Sequence, residues 1–212
     1  PSTGEAWKDA TASQRFLQEC VAASEKIMNS GMFKLYNTGK PETDYRYVFQ
    51  QEKPVKDEVI WAKEYSAELS SYHNLTQLFV SSGNQSNRWS PTQEFVNTYL
   101  NRDGSRFTDA AGYETKNFVQ NSTNRDCRLA QSMMMPGYTK LNNNGEKMET
   151  TPDWSVTMTG YQVIKYNMDG TFYEVTNHSS NAVPVIRYAE ILLNEAEAKA
   201  ELGQMTNQVW NK

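Results

Sequence analysis

Apolar residues recur at three- and four-residue spacing over two stretches of the chain, the pattern of an amphipathic helix. The first covers residues 7–30. Leu17, Cys20, Val21, Ser24, Ile27 and Met28 fall on one side, and Gly31 supplies a C-terminal stop. The second covers residues 184–203, PVIRYAEILLNEAEAKAELG. Its apolar face is Ala189, Leu192, Leu193, Ala196 and Ala200, with Pro184 suited to a first turn and Gly203 to the close. Glu195 and Lys199 stand four apart in the order that favours an ion pair. A third helix is expected after Ser90, a good N-cap, with Pro91 in the first turn and Gln93 completing a capping box. Phe95, Val96, Tyr99 and Leu100 give this helix an apolar side.

Elsewhere the period changes. Residues 58–65, EVIWAKEY, form a short apolar run of strand character, with Trp61 expected in the core. Residues 160–175 alternate around Asp169-Gly170, a hairpin signal. Residues 139–154 read as a polar surface loop, and residues 66–90 and 102–125 are also loop-rich, a length that usually carries function or disorder. Aligned on Gly31 and Gly203, the two clear helices superpose their faces: Leu17 on Ala189, Cys20 on Leu192, Val21 on Leu193, Ser24 on Ala196, Met28 on Ala200. Small residues at such positions admit a neighbouring helix closely, as in tetratricopeptide-like stacks. The fold expected is mainly α: a tetratricopeptide-like helical scaffold, an αα superhelix, with long loops and small β-hairpins.

Composition adds restraint. Hydrophobic residues make up 38% of the 212 and charged residues 22%, so the excess is neutral and polar. With 5 Trp, 12 Tyr and 8 Phe the chain is too aromatic to be disordered. The net charge of -4 argues against nucleic-acid binding, and no polybasic patch suits a membrane surface. Cys20 and Cys127 form no metal motif. Cys20 lies among helical apolar positions, Cys127 in a loop after Asp126, and a disulfide between them is left open. The chain starts without Met and stops just after a further helix start, and is read as a piece of a longer protein.

Catalytic chemistry is thin. The two histidines, His73 and His178, sit in no motif, and there is no HExxH, Gly-x-Ser-x-Gly or phosphate-cradling loop. The segments NRDG (residues 101–104) and NMDG (residues 167–170) lack the oxygen set of a calcium loop and read as turns. No catalytic residue, metal site or cofactor is expected. The positive signal is aromatic and amide side chains together: Tyr72, His73, Asn74, Asn84, Gln85, Asn87, Arg88 and Trp89. A ring covers the C–H face of a sugar while amides bond its hydroxyls; the same residues also suit packing of a loop onto a scaffold, and Trp89 suits a hydrophobic staple at the helix entry. Tyr72, Asn74, Asn87, Arg88 and Trp89 are taken as the candidate ligand-binding residues, with Trp154 as the weaker aromatic.

The order of landmarks resembles the SusD/RagB-like family. Residues 184–203 resemble its signature helix, preceded in order by NSGMFKLY (29–36), DEVIWAKEY (57–65), PTQEFVNTYLNRDG (91–104), NRDCRL (124–129) followed by MPGY, and GYQVIKY (160–166). The likeness spans nearly all of residues 1–212, one region of a longer chain. It implies a glycan-binding, non-catalytic lipoprotein on the outer face of a Bacteroidetes outer membrane. The partner implied is a SusC-like TonB-dependent transporter, and the lipid anchor implied lies upstream of Pro1. A peptide ligand, or a pure protein-interaction scaffold in the same import complex, is the alternative; a glycoside hydrolase is the third reading. In the signature helix Arg187 and Glu190 are expected to pair at i,i+3 and hold the helix entry.

Overall fold

The computed structural model describes residues 10–81 and 88–211. Its helices are α1 (Ala10–Asn29), α2 (Asp44–Tyr47), α3 (Leu75–Val80), α4 (Gln93–Asn97), α5 (Phe118–Ser122), α6 (Cys127–Ser132), α7 (Tyr188–Glu201) and α8 (Asn207–Trp210). Its strands are β1 (Val59–Lys63), β2 (Thr139–Leu141), β3 (Lys147–Glu149) and β4 (Val183–Arg187). The fold is helix-rich with two small sheets, β1 with β4 and β2 with β3. The chain divides into two compact units, one of Pro1–Leu35, Val55–Trp61 and Pro184–Lys212, the other of Tyr36–Pro54 and Ala62–Val183. No helix among the described residues is long and apolar enough to cross a membrane.

In the first unit α1 packs against α7. The expected face of α1 is the one used, with Ser24 buried. On α7 the covered face is rotated from the expected one. Glu195 and Ala198 are buried, while Leu193 and Ala200 are exposed. The reason is polar: Lys199 donates to Glu195 (2.6 Å) and, across to α1, to Glu25 (2.7 Å), so the predicted i,i+4 pair forms and is also turned into the seam. The Cys20 thiol donates to the Asn194 carbonyl (3.7 Å). The helix ends as expected, with Gly203 at φ +67 and the reciprocal bonds Gly203 N to Ala200 O (3.0 Å) and Gln204 N to Lys199 O (2.7 Å).

Its entry differs. Residues 183–187 are strand, not helix, so Pro184 is no first-turn residue; Val183, Val185 and Ile186 are β-branched and prefer the extended chain. Arg187 does not turn inward to Glu190. Its guanidinium pairs with the buried Glu58, whose carbonyl also accepts the Tyr188 N–H (2.8 Å). Trp61 is exposed (61%) although it shares a side of β1 with the buried Val59: the cover on that side ends before Trp61 and Lys63.

The second unit is held less by regular elements than by side chains. Met133, Met134 and Met135 follow α6 as an extended run, which turns alternate side chains to opposite sides. Met133 and Met135 enter a cluster with Val96, Leu129 and Tyr161; Met134 enters another with Val80 and Ile164. Amides fill the ladder's place. Gln131 accepts from Arg46 N (2.9 Å) and donates to Pro41 O (2.8 Å) and Cys127 O (3.0 Å). Asn181 donates to Phe49 O (2.9 Å) and Tyr166 O (3.0 Å). Arg125, buried, donates to the carbonyls of Val96 (2.8 Å), Tyr99 (2.7 Å) and Asn121 (2.8 Å), at the C-terminal ends of α4 and α5 where carbonyls lack helical partners.

Several local expectations change. Asp169-Gly170 makes no hairpin: Gly170 is extended (φ -162) and a 3-10 turn, Thr171–Glu174, follows. The Asp169 carboxylate instead accepts from Arg46, from Gln50 (2.7 Å) and from the Tyr138 hydroxyl (2.5 Å). The hairpin lies in the stretch read as loop, β2 with β3, where Asn142 Oδ1 accepts from Asn144 N and Glu146 N (both 2.9 Å) and Gly145 takes φ +78. Ser90 caps nothing; Thr92 is the N-cap of α4 and accepts from Phe95 N (3.1 Å). Cys127 opens α6 behind the Asp126 cap, and both cysteines are free.

The ion pair of Arg46 and Asp169 joins α2, the 164–169 segment and Tyr138. Burial first, then the charge of Asp169, push the Tyr138 phenol far above its ordinary value, so it remains a donor. Arg46→Met is expected to destabilise the protein by about 3 kcal/mol, the low end for a broken buried pair, because the Asp169 side chain keeps 32% of its surface. Urea denaturation reads it as a lowered midpoint; an unchanged midpoint contradicts the role.

Candidate functional site

Of the predicted ligand residues, Tyr72 and Asn74 stand just before α3, and Trp89 meets Phe79 near its end. At its start, the Tyr72 hydroxyl donates to Ala67 O (3.3 Å) and the exposed Asn74 accepts from Asn177 N (2.8 Å). Between them His73 is buried: its Nδ1 accepts from Leu75 N (3.2 Å) and its Nε2 lies 3.0 Å from Asn181 O, which assigns the proton to Nε2. At the far end Trp89, 59% exposed, meets Phe79 edge-on at 6.3 Å, and Arg88 is exposed. Asn87, with Asn84 and Gln85, lies outside the described residues.

Beyond Trp89 the chain is laced to a second segment. Ser90 Oγ lies 3.0 Å from Thr157 Oγ1 and accepts from Met158 N (2.8 Å), and Thr159 Oγ1 donates to Pro91 O (2.7 Å). Of these residues Thr159 also lines a groove of about 440 Å³, with Gln93, Lys116, Phe118, Asn121, Trp154 and Tyr161 among its other walls. That volume suits a small ligand. Trp154 is 70% exposed, and its ring packs close to the backbone of Gly160. A Cβ at Gly160 would stand 3.3 Å from the ring, and φ +80 there already favours glycine. The Tyr161 hydroxyl, set in the core, donates to Gln93 Oε1 (2.8 Å) and accepts from Asn121 Nδ2 (3.3 Å). Asn121 is 6% exposed and its Oδ1 has no partner among the described residues. The groove offers a flat ring, amides and a hydroxyl, and among the described residues no carboxylate lines it.

The sequence hinted at this groove only through Trp154, read as the weaker aromatic. Gln93, Asn121 and Tyr161 come from separate segments and share no spacing. A second cavity, about 530 Å³, is lined by Asn142, Phe172, Val175 and His178, where the Phe172 and His178 rings stack at 4.4 Å. Among the described residues no group of three or more His, Cys, Asp or Glu could hold a metal ion.

The sequence model of the SusD family matches residues 57–211. Among solved structures, the fold is similar to that of a SusD-like protein from Bacteroides fragilis, at 19% identity and a TM-score of 0.64, over 91% of this chain and 41% of that one. It is similar to that of a SusD-like carbohydrate binding protein from the same species, at 23% identity and a TM-score of 0.63, over 92% and 39%. A SusD superfamily protein from Parabacteroides distasonis aligns at 16% identity and a TM-score of 0.54, over 92% and 36%. The chain thus spans less than half the length of these structures. No curated protein matches its sequence.

Gly160→Ala is expected to displace the Trp154 ring and cost about 1 kcal/mol, read as a changed near-UV dichroism of tryptophan; an unchanged spectrum contradicts the contact. Burial, ahead of the opposing bond to Asn181, lowers the His73 value. The folded ring therefore titrates below the unfolded one, and its share of stability is lost as pH falls through the folded value. NMR titration should place the His73 midpoint below that of a free histidine.

Proposed function

The chain belongs to the SusD family, and on that premise we propose that it is part of a surface-exposed lipoprotein that captures oligo- or polysaccharide for import. The observation that carries the glycan reading is the groove beneath Trp154: a solvent-facing indole seated on Gly160, with amide and hydroxyl groups set below it. Such a site holds a pyranose by its C–H face and reads its hydroxyls. It binds and does not cleave. Trp89, Tyr72, Asn74, Asn87 and Arg88 are proposed as further ligand contacts, Trp89 preceding in sequence the Ser90 and Pro91 that bond to Met158 and Thr159. Residues 1–212 are taken as one SusD/RagB-like region of a longer chain anchored upstream to the outer membrane. Delivery runs to a SusC-like TonB-dependent transporter, and the α1–α7 pair is taken as one unit of a tetratricopeptide-like superhelix.

A second reading is a docking scaffold for protein or peptide. It rests on apolar surface in the first unit, where Leu193 of α7 is 69% exposed and Trp210 of α8 is 78% exposed.

A panel of polysaccharides tested by calorimetry should yield a binder that releases no reducing ends. Trp154→Ala, Trp89→Ala and Tyr72→Ala should each weaken that binder about tenfold, the worth of one lost stacking contact, with far-UV dichroism unchanged. A panel without a binder, with transporter association retained, favours the scaffold. Release of reducing ends would restore a hydrolase.

A further inference from the structure

We propose that the Trp154 groove takes an acidic glycan, with the Lys116 ammonium receiving a carboxylate or sulfate borne by the sugar that lies on Trp154. The proposal rests on the glycan reading of this groove and names the chemical class.

Lys116 is half-buried on the groove wall, and its Nζ stands 4.6 Å from the centroid of the buried Phe107 ring. The Arg125 guanidinium carbon lies 3.8 Å from the same centroid. Two cations therefore share one aromatic ring, and neither forms an ion pair among the described residues. Arg125 is spoken for by three carbonyls. Among the described residues Lys116 has the ring alone. The other covered cations are matched differently: Arg46, Lys140, Arg187 and Lys199 each hold a carboxylate, and Lys165 lies over the rings of Tyr45, Phe49 and Tyr166.

Among the described residues the groove carries one cation and no acid, on a chain of net charge -4. An anion that reaches the Lys116 ammonium gains a charge-assisted hydrogen bond, stronger than a neutral one. Gln93 and Thr159 on the same walls supply neutral hydrogen-bonding groups for the sugar's hydroxyls. A neutral sugar would satisfy Trp154 and these groups but leave Lys116 unmatched; a uronate or a sulfated sugar matches all of them.

The test uses two matched pairs of probes on the whole protein: an oligogalacturonate against its carboxyl-reduced form, and a chondroitin sulfate oligosaccharide against its desulfated form. The first pair reports carboxylate and the second sulfate. The charged member of at least one pair should bind more tightly, and the ratio of affinities within that pair should fall about tenfold in K116Q, the worth of one charge-assisted bond. K116R should restore the ratio, which separates lost charge from lost packing on Phe107. A charged-over-neutral ratio near one, or a ratio that survives K116Q, overturns the proposal while leaving a neutral-glycan reading in place. If neither charged probe binds, the acidic class is overturned. If the polysaccharide panel yields no binder that Trp154→Ala weakens, the glycan reading of the groove falls with it.

Discussion

The second unit depends on one carboxylate. Asp169 gathers Arg46, Gln50 and Tyr138, and the same Arg46 reaches the carbonyls of Gln131 (3.2 Å) and Ile164 (2.9 Å). Segments distant in sequence thereby meet at one point with their charges and lone pairs matched. A partly buried ion pair contributes little net energy unless its remaining hydrogen-bonding groups are also filled. Here they are, and the pair serves mainly to set the relative placement of chains that have almost no sheet between them.

The same economy explains the composition. A chain with 38% hydrophobic residues has limited apolar area to bury. Its interior includes Gln131, Gln162, Asn167 and Asn181, each nearly inaccessible. Gln162, for instance, accepts from Asp153 N (2.9 Å) and donates to Phe79 O (3.1 Å), doing for two loops what a neighbouring strand would otherwise do. Loops held this way can be long and still place side chains firmly. Trp154 illustrates the result, a mostly exposed indole that packs close to the Gly160 backbone.

Legibility in the sequence followed the range of the interactions. Helix α1, the body of α7 and strand β1 were readable, since each rests on a local period and, for α7, on a glycine that must take positive φ. The first four residues of the signature stretch were misread because pairing with β1 and the Glu58–Arg187 contact lie outside any local window. Asp169-Gly170 carried the local mark of a hairpin, but Arg46 claims the carboxylate and Gly170 stays extended. The amide-rich text was visible; which amides face a groove was not, because Gln93, Asn121 and Tyr161 meet only after residues 90–93 are tied to 157–161.

The junction at Arg187–Tyr188 has a geometric consequence. Strand β4 passes into helix α7 with no intervening loop, so the two elements share one rigid phase. A strand repeats every two residues and a helix turns about 100° per residue. Sliding β4 by one pairing step of two residues would therefore bring a different part of the helix, about 200° around, to the seam with α1. The burial of Glu195 and Ala198 is in this sense indexed by the register of a five-residue strand, much as the angle of a key is set by the notch it starts from.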